Sequence, residues 1–114
     1  MMQALFHPLS EEALRIASNV AQVYSAWRDA VRERAQMPAS MFWTTRDSRE
    51  YLAVKASPGA AATTEGPRTA QSEQRLAKYK EDRDALDAAI AARAARLDEF
   101  ARQWRALRLP TVTA

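Results

Sequence analysis

Residues 76–107 read LAKYKEDRDALDAAIAARAARLDEFARQWRAL. Leu76, Arg83, Ile90, Leu97 and Trp104 recur every seven residues, and Tyr79, Leu86, Arg93, Phe100 and Leu107 repeat the same interval three positions later. Such 3-4 spacing places all ten on one seam of a helix, as in a coiled coil. Eight of the ten are apolar, and no lone helix in water can bury them. The seam of Leu76, Tyr79, Leu86, Ile90, Leu97, Phe100, Trp104 and Leu107 therefore needs a cover. Pro110 stops the helix, and Thr69 or Ser72 can cap its start, giving a long helix over about 70–109.

The cover nearest in sequence is the stretch from Ser10 to Gln36. Leu9, Ala13, Ile16, Val20, Val23, Trp27 and Ala30 repeat the 3-4 spacing. Ser10 is the expected N-cap, and Glu11 and Glu12 favour the positive end of the helix dipole. Leu9 and Leu14 suit a hydrophobic staple. Pro38 ends this helix. The second helix is the longer, so an antiparallel pair should leave either Leu76 and Tyr79 or Phe100, Trp104 and Leu107 uncovered. Val20, Val23, Trp27, Leu86, Ile90 and Leu97 are the expected core.

Between the helices, Phe42, Thr44 and Thr45 precede the polar break Arg46-Asp47-Ser48-Arg49, and Tyr51, Leu52 and Val54 follow it. Aromatic and β-branched residues around a polar turn read as a β-hairpin over about 41–57. The turn lacks Asn-Gly, so more than two residues are expected in it. Residues 58–69 have no period and no bulky apolar side chain, and read as a mobile linker. The fold class is mainly α: two long antiparallel helices joined by a β-hairpin and a mobile linker, in a single elongated domain over 1–114.

Composition narrows the chemistry. The 114 residues hold two glycines, no cysteine and one histidine, His7. Phosphate-cradling loops need glycine where the backbone meets the ligand, and thiolate chemistry needs cysteine. Asp82, Asp84 and Asp87 splay over different helix faces and read as solvated carboxylates near Lys78, Lys80 and Arg83. No catalytic residue, cofactor or metal ligand is expected. Arg83 and Arg93 interrupt the seam; their stems can pack while their heads reach acids on the neighbouring helix. A net charge of +3 permits an acidic partner without requiring one. With no membrane-length apolar run and no signal-peptide pattern, a cytoplasmic protein is expected.

The hairpin carries the candidate contact surface. Trp43 and Tyr51 lie among Arg46, Arg49, Lys55 and Arg68, with Phe42 beside them. Aromatics interleaved with cations can stack on bases while the cations meet phosphates. The plainer reading is that strand alternation turns one set of aromatics into core.

The order of motifs resembles a known family. Pro8-Leu9-Ser10-Glu11-Glu12-Ala13-Leu14 opens the first helix. Phe42-Trp43 and Arg49-Glu50-Tyr51-Leu52 lie in the hairpin, followed by Glu65-Gly66-Pro67-Arg68-Thr69 and Ser72-Glu73. Tyr79-Lys80 lies near the start of the long helix, which closes with Arg105-Ala106-Leu107-Arg108-Leu109-Pro110. From about Leu9 to Pro110 this is similar to the N-terminal region of a bacterial nucleotidyltransferase-fold protein family. In that family a catalytic domain with a Gly-Ser motif and paired, Mg²⁺-holding aspartates follows. Neither Gly59 nor Gly66 precedes serine. The resemblance thus implies the accessory region without the catalytic domain, as a fragment, a split subunit or a stand-alone protein. The function it implies is a non-catalytic interaction module that binds a protein partner or forms a homo-oligomer. The alternative is a small basic nucleic-acid-binding protein using the aromatic and basic hairpin.

Overall fold

The computed structural model describes residues 11–107. His7, Leu9, Ser10, Leu109 and Pro110 lie outside the described residues, and with them the staple, the first N-cap and the final stop. Helix α1 is Glu11–Gln36, 26 residues, and helix α2 is Ala70–Ala106, 37 residues without a break. Between them run β1 (Ser40–Arg46), β2 (Arg49–Lys55) and β3 (Thr63–Pro67), an antiparallel sheet in the order β1-β2-β3. The described chain is therefore mainly helical, with a three-stranded sheet between its two helices.

Two features depart from expectation. The stretch read as a linker contains β3, which pairs Tyr51 with Pro67, Leu52 with Gly66, Ala53 with Thr64 and Val54 with Thr63. An edge strand needs no hydrophobic alternation, and proline is tolerated at its end, so Thr-Thr-Glu-Gly-Pro can extend a sheet whose core face is supplied elsewhere. Glu65 is the extra residue of a bulge opposite Leu52 and Ala53, and Gly66 beside it takes φ 150°, a conformation side-chain-bearing residues rarely adopt. The second departure is the β1–β2 turn. It has only two residues, Asp47 and Ser48, at φ 53° and 64°. Both positive angles mark a type I′ hairpin turn, whose twist matches the strands. Asp tolerates the left-handed region, and seven register pairs from Ser40–Lys55 to Arg46–Arg49 hold the turn despite the missing glycine.

The chain packs as two units. In residues 30–89 the buried side chains are Ala30, Met41, Leu52, Ala53, Val54, Leu76 and Tyr79. Met41, Leu52 and Val54 share one sheet face and close on Leu76 and Tyr79 of α2, with Met37 and Trp43 at the edge of the cluster. Leu52, 2% exposed in the central strand, is the largest fully enclosed side chain.

The other unit takes in described residues 11–29 and 90–107. Its buried members are Ala13, Ile16 and Phe100. Val20, Val23, Trp27, Ile90, Leu97, Trp104 and Leu107 are half-buried, as is Leu86 in the first unit. The expected core thus proves half-covered, and the enclosed core lies elsewhere. A stripe covered from one side keeps its flanks in water; over Leu76 and Tyr79 the sheet adds a further layer. Neither candidate overhang is bare: Leu76 and Tyr79 lie against the sheet, and Phe100 is 3% exposed. The greater length of α2 therefore does not by itself demand an outside partner.

Among the described residues no helix is long and apolar enough to cross a membrane.

Candidate functional site

The sheet distributes the hairpin's chemistry over two faces. Residues opposite one another in register share a face, and neighbours along a strand alternate. Met41, Trp43, Glu50, Leu52 and Val54 therefore look toward α2. Phe42, Thr44, Arg46, Arg49, Tyr51, Ala53 and Lys55 look away from it, joined by Thr64 and Pro67 of β3.

On the inner face, Arg68 gathers the motif residues. Its guanidinium lies 4.6 Å from the centre of the Trp43 ring, its Nη1 donates to Glu50 Oε2 at 2.7 Å, and its Nε donates to Glu73 Oε1 at 2.8 Å. Its backbone N–H donates to the Glu50 carbonyl at 2.9 Å. Hydrogen bonds to Glu73, then to Glu50, hold the guanidinium above its ordinary pKa. A group with a raised pKa contributes stability that is lost as pH rises through that pKa, and because the partners here are carboxylates the contribution is also lost in acid as Glu73 and Glu50 protonate. Immediately after it, Thr69 caps α2. The Thr69 N–H donates to Ser72 Oγ at 2.6 Å, and the Ser72 N–H donates to Thr69 Oγ1 at 3.1 Å. This reciprocal pair is a capping box with serine in the usual place of glutamate. Arg75 ion-pairs with Glu65 of the bulge. Gly66 to Glu73 thus joins β3 to α2, with Arg68, Thr69, Ser72 and Glu73 hydrogen-bonded within the stretch and Arg68 also to Glu50.

A second junction lies at the end of α1. Arg34 Nε donates to Asp87 Oδ1 at 3.1 Å, while its Nη1 and Nη2 donate to the carbonyls of Pro38 at 3.1 Å and Ala39 at 3.4 Å. The Tyr79 hydroxyl donates to the same Pro38 carbonyl at 2.7 Å. Arg34 was legible as a last-turn cation four residues before Pro38, a position from which arginine commonly meets free carbonyls. Asp87, a solvated acid by its sequence setting, is thus an ion-pair partner. Lys78 and Asp82 do pair at helical spacing, at 3.1 Å. Arg83 reaches neither α1 nor any acid on it: its Nη2 pairs with Asp84 of its own helix at 3.0 Å, and it lies over the Tyr79 ring at 5.6 Å.

The six hairpin candidates therefore do not form one group. Trp43 and Arg68 belong to the inner junction. Arg46, Arg49, Tyr51 and Lys55 share the outer face with Phe42, which is 40% exposed. Among the described residues the side chains of Arg46, Arg49 and Lys55 have no ion-pair or hydrogen-bond partner.

Between β3 and the start of α2 lies an open cleft of about 340 Å³, lined by Leu52, Gly66, Pro67, Gln71 and Ser72, with Glu65 and Arg75 also on its wall. Among the described residues no three His, Asp or Glu side chains gather as metal ligands. No protein-family model, curated protein or solved structure matches this chain.

Proposed function

We propose that this chain is a non-catalytic association module, of the kind that precedes the catalytic domain in the nucleotidyltransferase-fold family its motifs resemble. Two observations support a scaffold role. The motif residues Trp43, Glu50, Arg68, Thr69, Ser72 and Glu73 hold sheet to helix, with their polar groups directed at each other. The helices also suit an antiparallel pair. Arg34 near the end of α1 meets Asp87 midway along α2, and in the other unit Ala13 and Ile16 early in α1 are buried, as is Phe100 late in α2.

The observation that carries association is a second stripe on α1. Leu14, Ala17, Ala21, Tyr24 and Arg28 have 3-4-3-4 spacing and lie beside the buried stripe. All five are exposed, Leu14 by 55% and Tyr24 by 50%. The four apolar members are symmetric about position 19. An antiparallel two-fold pairing would set Leu14 against the partner's Tyr24 and Ala17 against the partner's Ala21, with the alanines allowing close approach of the backbones. Self-complementarity of this sort is what a two-fold interface requires, so the occupant we assign is a second copy of this chain.

Light scattering across the micromolar range tests the assignment. The expected mass is twice the 12.8 kDa of one chain. Leu14→Lys combined with Tyr24→Lys should return it to one chain with its helical signal intact. A wild-type monomer at every concentration would overturn the reading.

A further inference from the structure

On the outer face of the sheet, none of the cations forms an ion pair among the described residues. Arg46 and Arg49 are direct register partners across the hairpin. Like charges directly opposite one another destabilise a strand pair. Among the described residues no carboxylate comes within ion-pairing distance of either, nor of Lys55 at the far end of β2. Of the acids in the hairpin region, Glu50 points inward to Arg68, Glu65 is held by Arg75, and Asp47 in the turn between the two arginines forms no ion pair with either. Cations thus stand at both ends of the face, about 20 Å apart along β2, with no ion pair among the described residues.

Between them are two rings. Phe42 on β1 and Tyr51 on β2 are diagonal neighbours, since Phe42 faces Ala53 and Tyr51 faces Thr44. Diagonal positions on adjacent strands stand about 7 Å apart. Ala53 between them is only 2% exposed, so the larger side chains around it and not its methyl form the surface there. Flat rings on neighbouring strands, flanked by cations, match the way a sheet receives two or three unstacked bases while arginine and lysine meet the phosphates. Thr44, Thr64 and the Tyr51 hydroxyl add neutral hydrogen-bonding groups to the same face, suited to a ribose 2′-hydroxyl.

We propose that the outer face of the sheet, through Phe42, Tyr51, Arg46, Arg49 and Lys55, binds single-stranded RNA. This inference is independent of the α1 stripe and of self-association. It also revises which residues of the hairpin take part: Phe42 enters, while Trp43 and Arg68 stay with the inner junction.

Fluorescence anisotropy of the full chain with a short labelled single-stranded RNA tests it. Binding should weaken with salt, with a logarithmic slope of about −2 for three displaced cations. Phe42→Leu and Tyr51→Leu keep apolar bulk but remove the rings, and each should weaken binding roughly tenfold. Replacing Arg46, Arg49 and Lys55 together by Gln should abolish both binding and its salt dependence. Lys80→Gln and Arg102→Gln, exposed cations on α2, should leave affinity unchanged. Retained binding by both ring variants would overturn the proposal, because it would mean charge attraction alone. Equal affinity for duplex RNA, for single-stranded DNA or for a polyglutamate peptide would also overturn it, as would no binding at low salt.

Discussion

Tyr79 offers the sharpest test of how the sheet is held to α2, because one side chain supplies two separable contributions. Its ring is 5% exposed and packs in the cluster of Met41, Leu52, Val54 and Leu76. Its hydroxyl donates at 2.7 Å to the Pro38 carbonyl, across 41 positions of chain. In Tyr79→Phe the hydrogen bond is lost, but Pro38 still accepts from Arg34 Nη1 at 3.1 Å, so no buried acceptor is left without a partner. The cost should be that of an ordinary hydrogen bond, about 0.5–1.5 kcal/mol. In Tyr79→Ala the ring goes too, leaving a cavity under the central strand. Removing a buried aromatic costs about 3–5 kcal/mol, a large share of the ~5–15 kcal/mol that keeps a domain folded. Urea denaturation followed by circular dichroism and by tryptophan fluorescence would measure both, with coincident transitions as the check on two-state behaviour. If the Phe variant lost as much as the Ala variant, the hydroxyl and not the ring would be holding the sheet. If the Ala variant lost less than about 1 kcal/mol, the ring would not be enclosed at all.

Two backbone positions give further predictions. Ser48 occupies the left-handed region at φ 64° without glycine's freedom, so Ser48→Gly should stabilise the hairpin by about 0.5–1 kcal/mol, seen as a higher urea midpoint. Gly66→Ala should destabilise by about 1–2 kcal/mol. A new Cβ there meets no heavy atom within 4 Å, so the loss would be backbone strain at φ 150°, and filling or emptying nearby space should not rescue it.

The helices were legible because their signal is local and periodic. A 3-4 repeat sustained from Leu76 to Leu107 leaves little else for that segment to be, and Pro38 and the capping pair at Thr69 and Ser72 mark boundaries in short-range chemistry. The third strand was hidden because its stability is borrowed. Thr63 to Pro67 has two β-branched residues but no apolar face of its own, and its pairing with β2 is a long-range event no local pattern records. The two-residue turn is hidden for the converse reason: the sequence has no glycine there, and the register of the strands imposes the turn on Asp47 and Ser48.

The core was only partly readable. Helical periodicity tells which side of α2 is covered but not how deeply. Leu86, Ile90 and Leu97 fulfil the pattern and remain half-exposed, while Leu76, Tyr79 and Phe100 are enclosed. The candidate contact residues shared one stretch of sequence, and strand alternation then parted them. Trp43 turned inward to Arg68, whereas Tyr51, Arg46, Arg49 and Lys55 stayed outside with Phe42. That division was available from a period of two, but only once the register of β1 on β2 was fixed, and the register depended on the length of the turn.

Which face of the sheet meets α2 decides both the core and the outer surface. Nuclear Overhauser contacts from the Tyr79 ring decide this directly in the folded chain. Cross-peaks to the side chains of Met41, Leu52 and Val54, with none to Phe42 or Thr44, are the expected result. Cross-peaks from Tyr79 to Phe42 and Thr44 instead would reverse the sheet, bury the proposed RNA surface and contradict the account.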